Sequence, residues 1–189
     1  MMYQITKAKK LCDNIFLFDV RARRIAAHCM PGQFVIVRTD SNSERIPLTI
    51  CDYNRKEGTI SVCVQVVGEG SLKLSKMKQG QLLSDIAGPL GCASELCSTP
   101  IDELKQKKIL FVAGGLGTAP VYPQVKWLHD QGVECDVVIG SKTKDLVIFE
   151  KEMNAVAKNV YIATDDGSYG HKGLVTDVVT NLVKAKGNH

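Results

Sequence analysis

The segment 109–120 constrains the possible folds of this chain more than any other. Five apolar residues, Ile109-Leu110-Phe111-Val112-Ala113, run directly into Gly114-Gly115-Leu116-Gly117-Thr118-Ala119-Pro120. This order predicts a buried strand, a tight glycine turn and the start of a helix. Glycine lets backbone N–H groups approach a ligand closely, and the first helical turn offers unpaired N–H donors. The spacing is Gly-Gly-x-Gly, which differs from the Gly-x-Gly-x-x-Gly of the dinucleotide fingerprint, so a phosphate site and a turn without a ligand both remain open.

Strands and helices alternate beyond residue 100. Strands are predicted over 109–113, 133–139 and 160–164, and helices over 119–131, 149–157 and 174–184. This βαβαβα order implies a parallel sheet with right-handed crossovers, in which ligands bind at the carboxyl ends of the strands. The glycine-bearing loops 114–120, 140–143 and 165–170 are expected to converge at that edge. Their convergence favours the phosphate site over the empty turn.

The first half of the chain consists mainly of short, strand-like segments. Strands are predicted over 15–20, 33–38, 47–51, 59–67 and 81–87, with one helix over 71–77. Turn residues separate the strands at the spacing of an antiparallel barrel or sandwich. We therefore expect an antiparallel barrel or sandwich over 1–100 followed by an α/β domain over 101–189.

Composition argues against several classes of protein. The net charge of +4 is scattered and only 6% of residues are aromatic, so nucleic-acid binding is disfavoured. The lysine clusters 7–10 and 105–108 are expected on the solvated surface. The amino terminus lacks an apolar signal core and no stretch is apolar enough to span a bilayer, so we expect a cytoplasmic protein.

The seven cysteines predict neither a disulfide framework nor a metal site. Their number is odd and several lie in apolar, strand-like runs, where a thiol behaves as a small hydrophobe. No Cys-x-x-Cys pair occurs, and the closest pair, Cys92 and Cys97, has no neighbouring ligands for zinc or iron–sulfur binding. We expect no metal bound by this chain alone.

Two segments of the first half are candidate ligand sites. In Arg45-Ile46-Pro47-Leu48-Thr49 a permanent cation and a hydroxyl stand at the head of a strand, where they suit a phosphate and a ring nitrogen. Gly68-Glu69-Gly70-Ser71-Leu72 follows a strand and opens a helix, which suits a second anion. Taken singly, the two segments are explained better by a surface arginine beside a proline and by an ordinary serine N-cap.

The order of these motifs resembles that of the ferredoxin–NADP reductase superfamily. Arg-x-Pro-Leu-Thr is followed by Gly-x-Gly-Ser, Gly-Pro-Leu-Gly, Gly-Gly-x-Gly-x-x-Pro and Asp-Asp-Gly-Ser-Tyr-Gly, over essentially the whole chain. Within the superfamily, the segment 164–177 is most similar to three related subunits, to an equal degree. They are the electron-transfer subunit of dihydroorotate dehydrogenase, the sulfide dehydrogenase subunit and the alpha subunit of NADH-dependent reduced ferredoxin:NADP oxidoreductase.

The resemblance implies an antiparallel β-barrel domain over 1–100 that binds FAD. It also implies an α/β domain over 101–189, incomplete at its carboxyl end, that binds a nicotinamide nucleotide, NAD(P)H. The residues it assigns to the flavin are Arg45, Ile46, Pro47, Leu48, Thr49, Cys63, Val64 and Gln65, with Gly70 and Ser71 at the pyrophosphate. Those it assigns to the nicotinamide nucleotide are Gly114, Gly115, Gly117 and Thr118 at the pyrophosphate, with Gly140, Ser141, Lys142, Asp165 and Asp166 around the adenosine. The cofactors supply the redox chemistry, so no catalytic acid or base is predicted.

The resemblance further implies a subunit of a hetero-oligomeric oxidoreductase that passes electrons from NAD(P)H through FAD to a redox partner such as a ferredoxin-like protein. Relatives of this branch continue into a Cys-Gly-Pro strand and a cysteine cluster for a 2Fe–2S centre, whereas this sequence stops at His189. A truncated piece, a chain that works without that relay and a natural remnant all remain open. The alternative function is a non-catalytic flavin-binding fragment or interaction module. Lys142 suits a 2′-phosphate while Asp165 and Asp166 oppose one, so NADH and NADPH are not distinguished.

Overall fold

The computed structural model describes residues 3–187 and divides the chain into two compact units, Met1–Ser98 and Thr99–His189. The sequence-based boundary, after residue 100, lies two residues further on. Each unit has its own sheet. The first sheet is antiparallel and the second is parallel, which confirms the predicted fold class.

Unit 1 is a nearly closed antiparallel barrel of seven strands in the order β6-β1-β2-β5-β4-β3-β7. The strands are β1 Tyr3–Cys12, β2 Ile15–Arg21, β3 Phe34–Arg38, β4 Ile46–Asn54, β5 Thr59–Gln65, β6 Leu82–Leu83 and β7 Asp85–Leu90. Two short helices accompany them, α1 Arg23–His28 and α2 Glu69–Ser75. The consecutive strands β6 and β7 lie at opposite ends of this order, so the chain crosses between the two edges at Ser84.

Period-two alternation separates the two faces of the barrel wall. In β5, Ile60, Val62 and Val64 are buried in the core cluster. Cys63 lies between two of these residues and is absent from that cluster, although it is only 6% exposed. Cys63 is therefore covered on the outer face, whereas Ser61 and Gln65 on either side of it are half-buried.

Unit 2 is a four-stranded parallel sheet in the order β11-β10-β9-β8. The strands are β8 Ile109–Gly114, β9 Cys135–Ser141, β10 Asn159–Thr164 and β11 His171–Lys172. The helices are α3 Ile101–Lys105, α4 Thr118–Asp130, α5 Glu150–Asn154 and α6 Val175–Gly187. Helix α6 packs on β9 and β10 through a cluster centred on Val138, Ala163 and Val178, while α4 contacts β8 and β9.

Several predicted elements need correction. Strand β1 was not predicted, because the charged run 7–10 hides its alternation; those residues are exposed, as expected, although they lie in a strand. Helices α1 and α3 were not predicted either. The predicted strand 81–87 is split, since the backbone N–H of Ser84 donates to the carbonyl of Arg38 at 3.0 Å between β6 and β7.

Other boundaries differ by a few residues. The helix predicted over 71–77 starts at Glu69, and the strand predicted over 133–139 is shifted to Cys135–Ser141. The helix predicted over 149–157 is the shorter α5. It begins after Phe149, which has a left-handed backbone with φ of 61°, and ends at Asn154. The Phe149 ring is buried against Tyr122, with the two ring centroids 5.4 Å apart.

A search of the described residues for a helix long and apolar enough to cross a membrane finds none.

Candidate nucleotide and flavin sites

The carboxyl ends of three parallel strands lie side by side in unit 2. Gly114 at the end of β8 is paired with Gly140 of β9, and Thr164 at the end of β10 is paired with Ser141. The loops that follow the three strands therefore leave the sheet at one edge, as the sequence predicts. A ligand at this edge is within reach of all three loops.

The turn after β8 exposes its backbone on one side. Gly115 has a left-handed φ of 53°, and Gly115–Gly117 forms a single 3-10 turn that leads into α4. A Cβ atom added at Gly115 or at Gly117 would meet nothing within 4 Å. The glycines are thus not required by neighbouring protein atoms, and the open space beside them is available to a ligand.

Thr118, at the start of α4, carries an unpartnered hydroxyl. Its side chain is fully buried, and its Oγ1 atom has no hydrogen-bond partner among the residues that the structure describes. A buried hydroxyl without a partner costs about 1–3 kcal/mol, and such groups are rare in native proteins. Its place at the glycine turn is consistent with a site in which a ligand supplies the missing acceptor.

The need for glycine at position 140 is explained by helix packing rather than by a ligand. A Cβ atom at this position would collide with the Cγ1 atom of Val175 in α6. Glycine is therefore needed here to let α6 approach β9, whether or not a ligand binds nearby. The neighbouring Ser141 hydroxyl donates to the carbonyl oxygen of Thr143 at 2.7 Å, so it is occupied within its own turn.

The loops after β9 and β10 are bound to each other. The backbone N–H groups of Asp165 and Asp166 donate to the carbonyl oxygens of Ser141 and Lys142 at 3.1 and 3.3 Å. The Oγ of Ser168 and its N–H both donate to the carboxylate of Asp166, at 2.7 and 3.0 Å. These hydrogen bonds lower the pKa of Asp166, so its carboxylate is charged at neutral pH.

The two joined loops, residues 140–143 and 165–170, are called the double loop below, and further contacts hold them to neighbouring parts of unit 2. The Tyr169 hydroxyl donates to Glu150 of α5 at 2.6 Å, and the Nζ of Lys144 lies 5.2 Å from the centre of the Tyr169 ring. Ser168 also accepts a hydrogen bond from the backbone N–H of Lys144 at 2.8 Å. The side chains of Lys142, Asp165 and Asp166 remain exposed. The double loop therefore presents one cation and two carboxylates to solvent from a fixed backbone.

In unit 1 the segment 45–49 has two faces. Ile46 packs on the barrel core and Leu48 is buried in it, so their side chains face inward. Pro47 is exposed and Thr49 half-buried on the alternate face. Arg45 lies just before β4, and its Nη1 is 3.4 Å from the Oδ2 of Asp85 in an exposed ion pair. Within strand β4, the side chains of Pro47 and Thr49 therefore face away from the barrel core.

Strand β5 repeats this arrangement beside β4. Val64 is buried in the core, and the alternating positions Cys63 and Gln65 share the other face. Thr49, Cys63 and Gln65 thus belong to the outer face of the barrel wall. A ring lying on that face would meet Val64 and Leu48 through backbone atoms alone.

The start of α2 is already engaged by protein groups. The hydroxyl of Ser71 accepts hydrogen bonds from the N–H groups of Val67 and Gly68, both at 2.9 Å, and donates to the carbonyl oxygen of Gly68 at 2.8 Å. The N–H of Gly70 donates to the Oε1 of Glu44 at 2.7 Å. A carboxylate therefore lies where the predicted pyrophosphate contact is expected.

Sequence reasoning missed Glu44, Ser168 and Tyr169. Ser168 and Tyr169 were quoted in a motif but given no role, whereas the structure shows that they organise the loop around Asp166. Glu44 directly precedes Arg45 and is 26 residues from Gly70 along the chain, so no local spacing could reveal their contact.

A search of the described residues for a group of three or more acidic, histidine or cysteine side chains able to hold a metal ion finds none.

The two-unit architecture, an antiparallel barrel followed by a parallel sheet, defines the class of ferredoxin reductase-like proteins. No family model matches the chain. A solved structure of NADH-dependent reduced ferredoxin-NADP oxidoreductase, described in connection with flavin-based electron bifurcation, superposes with a TM-score of 0.86 and 33% identity. That match covers 97% of this chain and 64% of the solved one.

Curated relatives place the chain more narrowly. A protein of Clostridium beijerinckii, named only as an uncharacterized protein in the adh 3′ region, is 48% identical over 186 residues, covering 98% of this chain and 63% of the relative. The dihydroorotate dehydrogenase B (NAD(+)) electron transfer subunit of Listeria monocytogenes is 35% identical over 181 residues, covering 95% and 68%. The chain belongs to the family of dihydroorotate dehydrogenase B electron transfer subunits. It spans a little under two thirds of the length of the Clostridium relative.

Proposed function

We propose that this chain is a flavoprotein electron-transfer subunit that takes electrons from NAD(P)H and passes them through FAD to a partner redox protein. Membership in a family of electron transfer subunits is the observation that carries the proposal. When bound, the two cofactors supply the redox chemistry, a hydride passing from nicotinamide to flavin and single electrons leaving the flavin. The protein's contribution is to bind and orient them.

The nicotinamide nucleotide is assigned to unit 2. The N–H groups of the turn Gly114, Gly115 and Gly117 and the hydroxyl of Thr118 would hold its pyrophosphate, which fits the open space beside the glycines and the unpartnered buried oxygen. The adenosine would lie along the double loop, beside Gly140, Ser141, Lys142, Asp165 and Asp166. Because the Ser141 hydroxyl is internally bonded, that residue contributes its backbone.

We expect NADH to be preferred to NADPH. The exposed carboxylates of Asp165 and Asp166 oppose the two negative charges of a 2′-phosphate, and Lys142 offsets only one of them. The names of the dihydroorotate dehydrogenase relatives also specify NAD(+). The ratio of kcat/KM for the two nucleotides tests this preference.

FAD is assigned to unit 1. The isoalloxazine ring would lie on the outer barrel face formed by Pro47 and Thr49 of β4 and by Cys63 and Gln65 of β5, with Ile46, Leu48 and Val64 contributing backbone. Thr49 and Gln65 supply hydrogen-bonding groups on that face. The pyrophosphate would take the N–H groups of Gly70 and Ser71, with Arg45 nearby as a counter-charge.

The partner is proposed to be another subunit of a hetero-oligomeric oxidoreductase or a ferredoxin-like protein. Relatives named as electron transfer subunits support this assignment. All seven cysteines are free thiols, which supports a reducing, cytoplasmic compartment.

Reconstitution and turnover test the proposal. The purified chain is incubated with FAD and freed of excess cofactor, and its flavin absorbance and fluorescence are recorded. Turnover is then followed with NADH or NADPH and ferricyanide as an artificial acceptor. Bound flavin that is reduced by NADH and reoxidised by ferricyanide supports the electron-transfer role. Bound flavin without turnover indicates the non-catalytic flavin-binding fragment, and absence of flavin binding would overturn both.

A further inference from the structure

Unit 1 contains a cavity that none of the residues assigned above to a cofactor lines. Its volume is about 430 Å³, within the range of small-molecule sites. Its charged lining residues are Arg21, Arg23 and Arg24, at the junction of β2 and α1. Tyr3, Ile25 and Ile86 contribute aromatic and apolar surface to the same cavity.

The three arginines of this cavity differ from the other arginines of the chain. All six arginines lie between residues 21 and 55, and the cations of the second half are all lysine or histidine. Three of them have clear protein acceptors: Arg38 and Arg55 donate to backbone carbonyls, and Arg45 pairs with Asp85. No hydrogen bond or ion pair is made by the guanidinium groups of Arg21, Arg23 or Arg24 within residues 3–187.

The chain holds part of this cluster in place. The side-chain stem of Arg23 lies against Gly58, where an added Cβ atom would come within 2.5 Å of the Arg23 Cγ atom. The backbone N–H of Ala22 donates to the carbonyl oxygen of Gly58 at 2.9 Å, which fixes the turn that carries the arginines. Ile25 and Ile86 are each only 4% exposed, so the apolar wall belongs to the packed core. The cavity is therefore a built feature with charged groups at a rigid junction.

The chemistry of the lining selects its ligand. Guanidinium groups present a planar fork of donors that matches phosphate oxygens, and the three arginines that line this concavity carry three positive charges. A single carboxylate would leave most of this charge unbalanced, whereas two linked phosphates would neutralise it. We propose that this cavity binds a small molecule carrying a diphosphate or longer phosphate chain, whose organic part packs on Tyr3, Ile25 and Ile86.

Calorimetric titration of the FAD-treated protein with inorganic pyrophosphate tests the site. We expect saturable binding in the submillimolar range, and binding of orthophosphate at least about tenfold weaker because it engages fewer guanidinium groups. Neither probe has a base or a flavin ring, and the titration is repeated without FAD. Because pyrophosphate can also bind at the two cofactor pyrophosphate sites proposed above, the arginine variants decide which site the titration reports.

Variants assign the binding to the three arginines. R21A/R23A/R24A is expected to weaken pyrophosphate binding at least about 20-fold, and R21K/R23K/R24K, which keeps the charge but loses the fork, to weaken it by a smaller factor of about five. The matched control is K7A/K9A/K56A, which removes the same charge from exposed lysines of the same unit. If the triple variant does not fold, as judged by circular dichroism, R24A replaces it. This variant removes one guanidinium that has no partner within residues 3–187, and it should weaken pyrophosphate binding by a smaller factor than the triple variant. Equal losses in the arginine and lysine variants, or absence of pyrophosphate binding to the parent protein, would overturn the proposal.

Discussion

The carboxylate of Glu44 accepts a hydrogen bond from the backbone N–H of Gly70 at 2.7 Å. The contact is close enough that a Cβ atom on Gly70 would collide with that carboxylate. The N–H at the first turn of α2 is thus bound by an anion of the chain itself. The same N–H is assigned above to the FAD pyrophosphate, so Glu44 and the cofactor compete for it.

Removing the Glu44 carboxylate is predicted to tighten FAD binding. E44A removes both the competing acceptor and a negative charge that repels the pyrophosphate, and E44Q removes the charge alone. Because the side chain is exposed and the charge is screened, we expect a modest decrease in Kd, about three- to tenfold for E44A and less for E44Q. Quenching of flavin fluorescence during titration measures both constants. E57A makes the same charge change in an exposed turn and is expected to leave the Kd unchanged; weaker FAD binding by E44A would contradict the competition.

The loop before Glu44 is predicted to lose stability in acid through Asp40. A hydrogen-bonded ion pair with Lys73 of α2, aided by Ser43 and by the N–H of Asn42, lowers the pKa of Asp40 from 3.8 to about 2. Its stabilising effect is complete above about pH 4 and is lost as the pH falls towards 2. The free energy of unfolding of D40N should therefore lie below that of the parent protein at pH 6, with the difference shrinking between pH 4 and pH 2.

Urea unfolding at several pH values measures this difference. D13N is the control, because Asp13 pairs with its neighbour Lys10 in an exposed ion pair and its side chain is 97% exposed. A D40N difference that stays constant from pH 6 to pH 2 would show that the ion pair with Lys73 contributes nothing.

The carboxyl edge of the parallel sheet could be predicted from the sequence, whereas the contact of Glu44 with Gly70 and the unpartnered hydroxyl of Thr118 could not. Alternating strand and helix patterns predict a parallel sheet, and because parallel strands all end at the same edge, the loops after β8, β9 and β10 leave the sheet there. The contact between Glu44 and Gly70 joins residues 26 apart through a barrel whose closure no local pattern encodes. Whether the Thr118 hydroxyl is buried and has a partner depends on the positions of all the atoms packed around it, which the local sequence does not specify. Strand β1 was missed for a third reason, since lysines on its exposed face conceal the period of two.

Gly170 is predicted to tolerate alanine poorly, because it closes the double loop after β10. Its φ of 67° is left-handed, and a Cβ atom there would lie 2.8 Å from the carbonyl carbon of Ile162 and closer still to its oxygen. Left-handed strain alone costs about 1–2 kcal/mol, and the backbone collision adds to it. Gly132 has a similar φ of 70° with nothing within 4 Å of a Cβ atom, so G132A isolates the strain. Denaturant unfolding should show a larger loss for G170A than for G132A; equal losses would mean that the loop shifts freely.

The seven thiols are predicted to differ sharply in reactivity. Cys92 is exposed, while burial raises the pKa of the Cys29 and Cys135 thiols to about 11 and also raises that of Cys97. Since the thiolate is the reactive form, a disulfide reagent at pH 8 should modify one thiol quickly in the native protein and seven in denaturant. C92S should remove the rapid phase. Rapid modification of a second thiol in C92S would show that half-buried Cys97 or one of the five buried cysteines is accessible in solution.

Thr118 provides a test that separates stability from nucleotide binding. Its fully buried hydroxyl has no acceptor or donor among the described residues, so replacing it with a methyl group of similar size removes an unsatisfied polar atom. T118V is therefore expected to raise the free energy of unfolding of the free protein by about 1 kcal/mol. The same change should raise the Kd for NADH about tenfold, because the ligand then lacks its hydroxyl partner.

T118S is the matched control, since it keeps the hydroxyl and loses only the methyl group. It should lower the stability of the free protein through a small cavity while leaving the Kd for NADH near its original value. Denaturant unfolding and fluorescence titration with NADH measure the two quantities for each variant. If T118V were more stable yet bound NADH unchanged, the buried hydroxyl would be a structural liability of the turn, and the assignment of Thr118 to the nucleotide would be wrong.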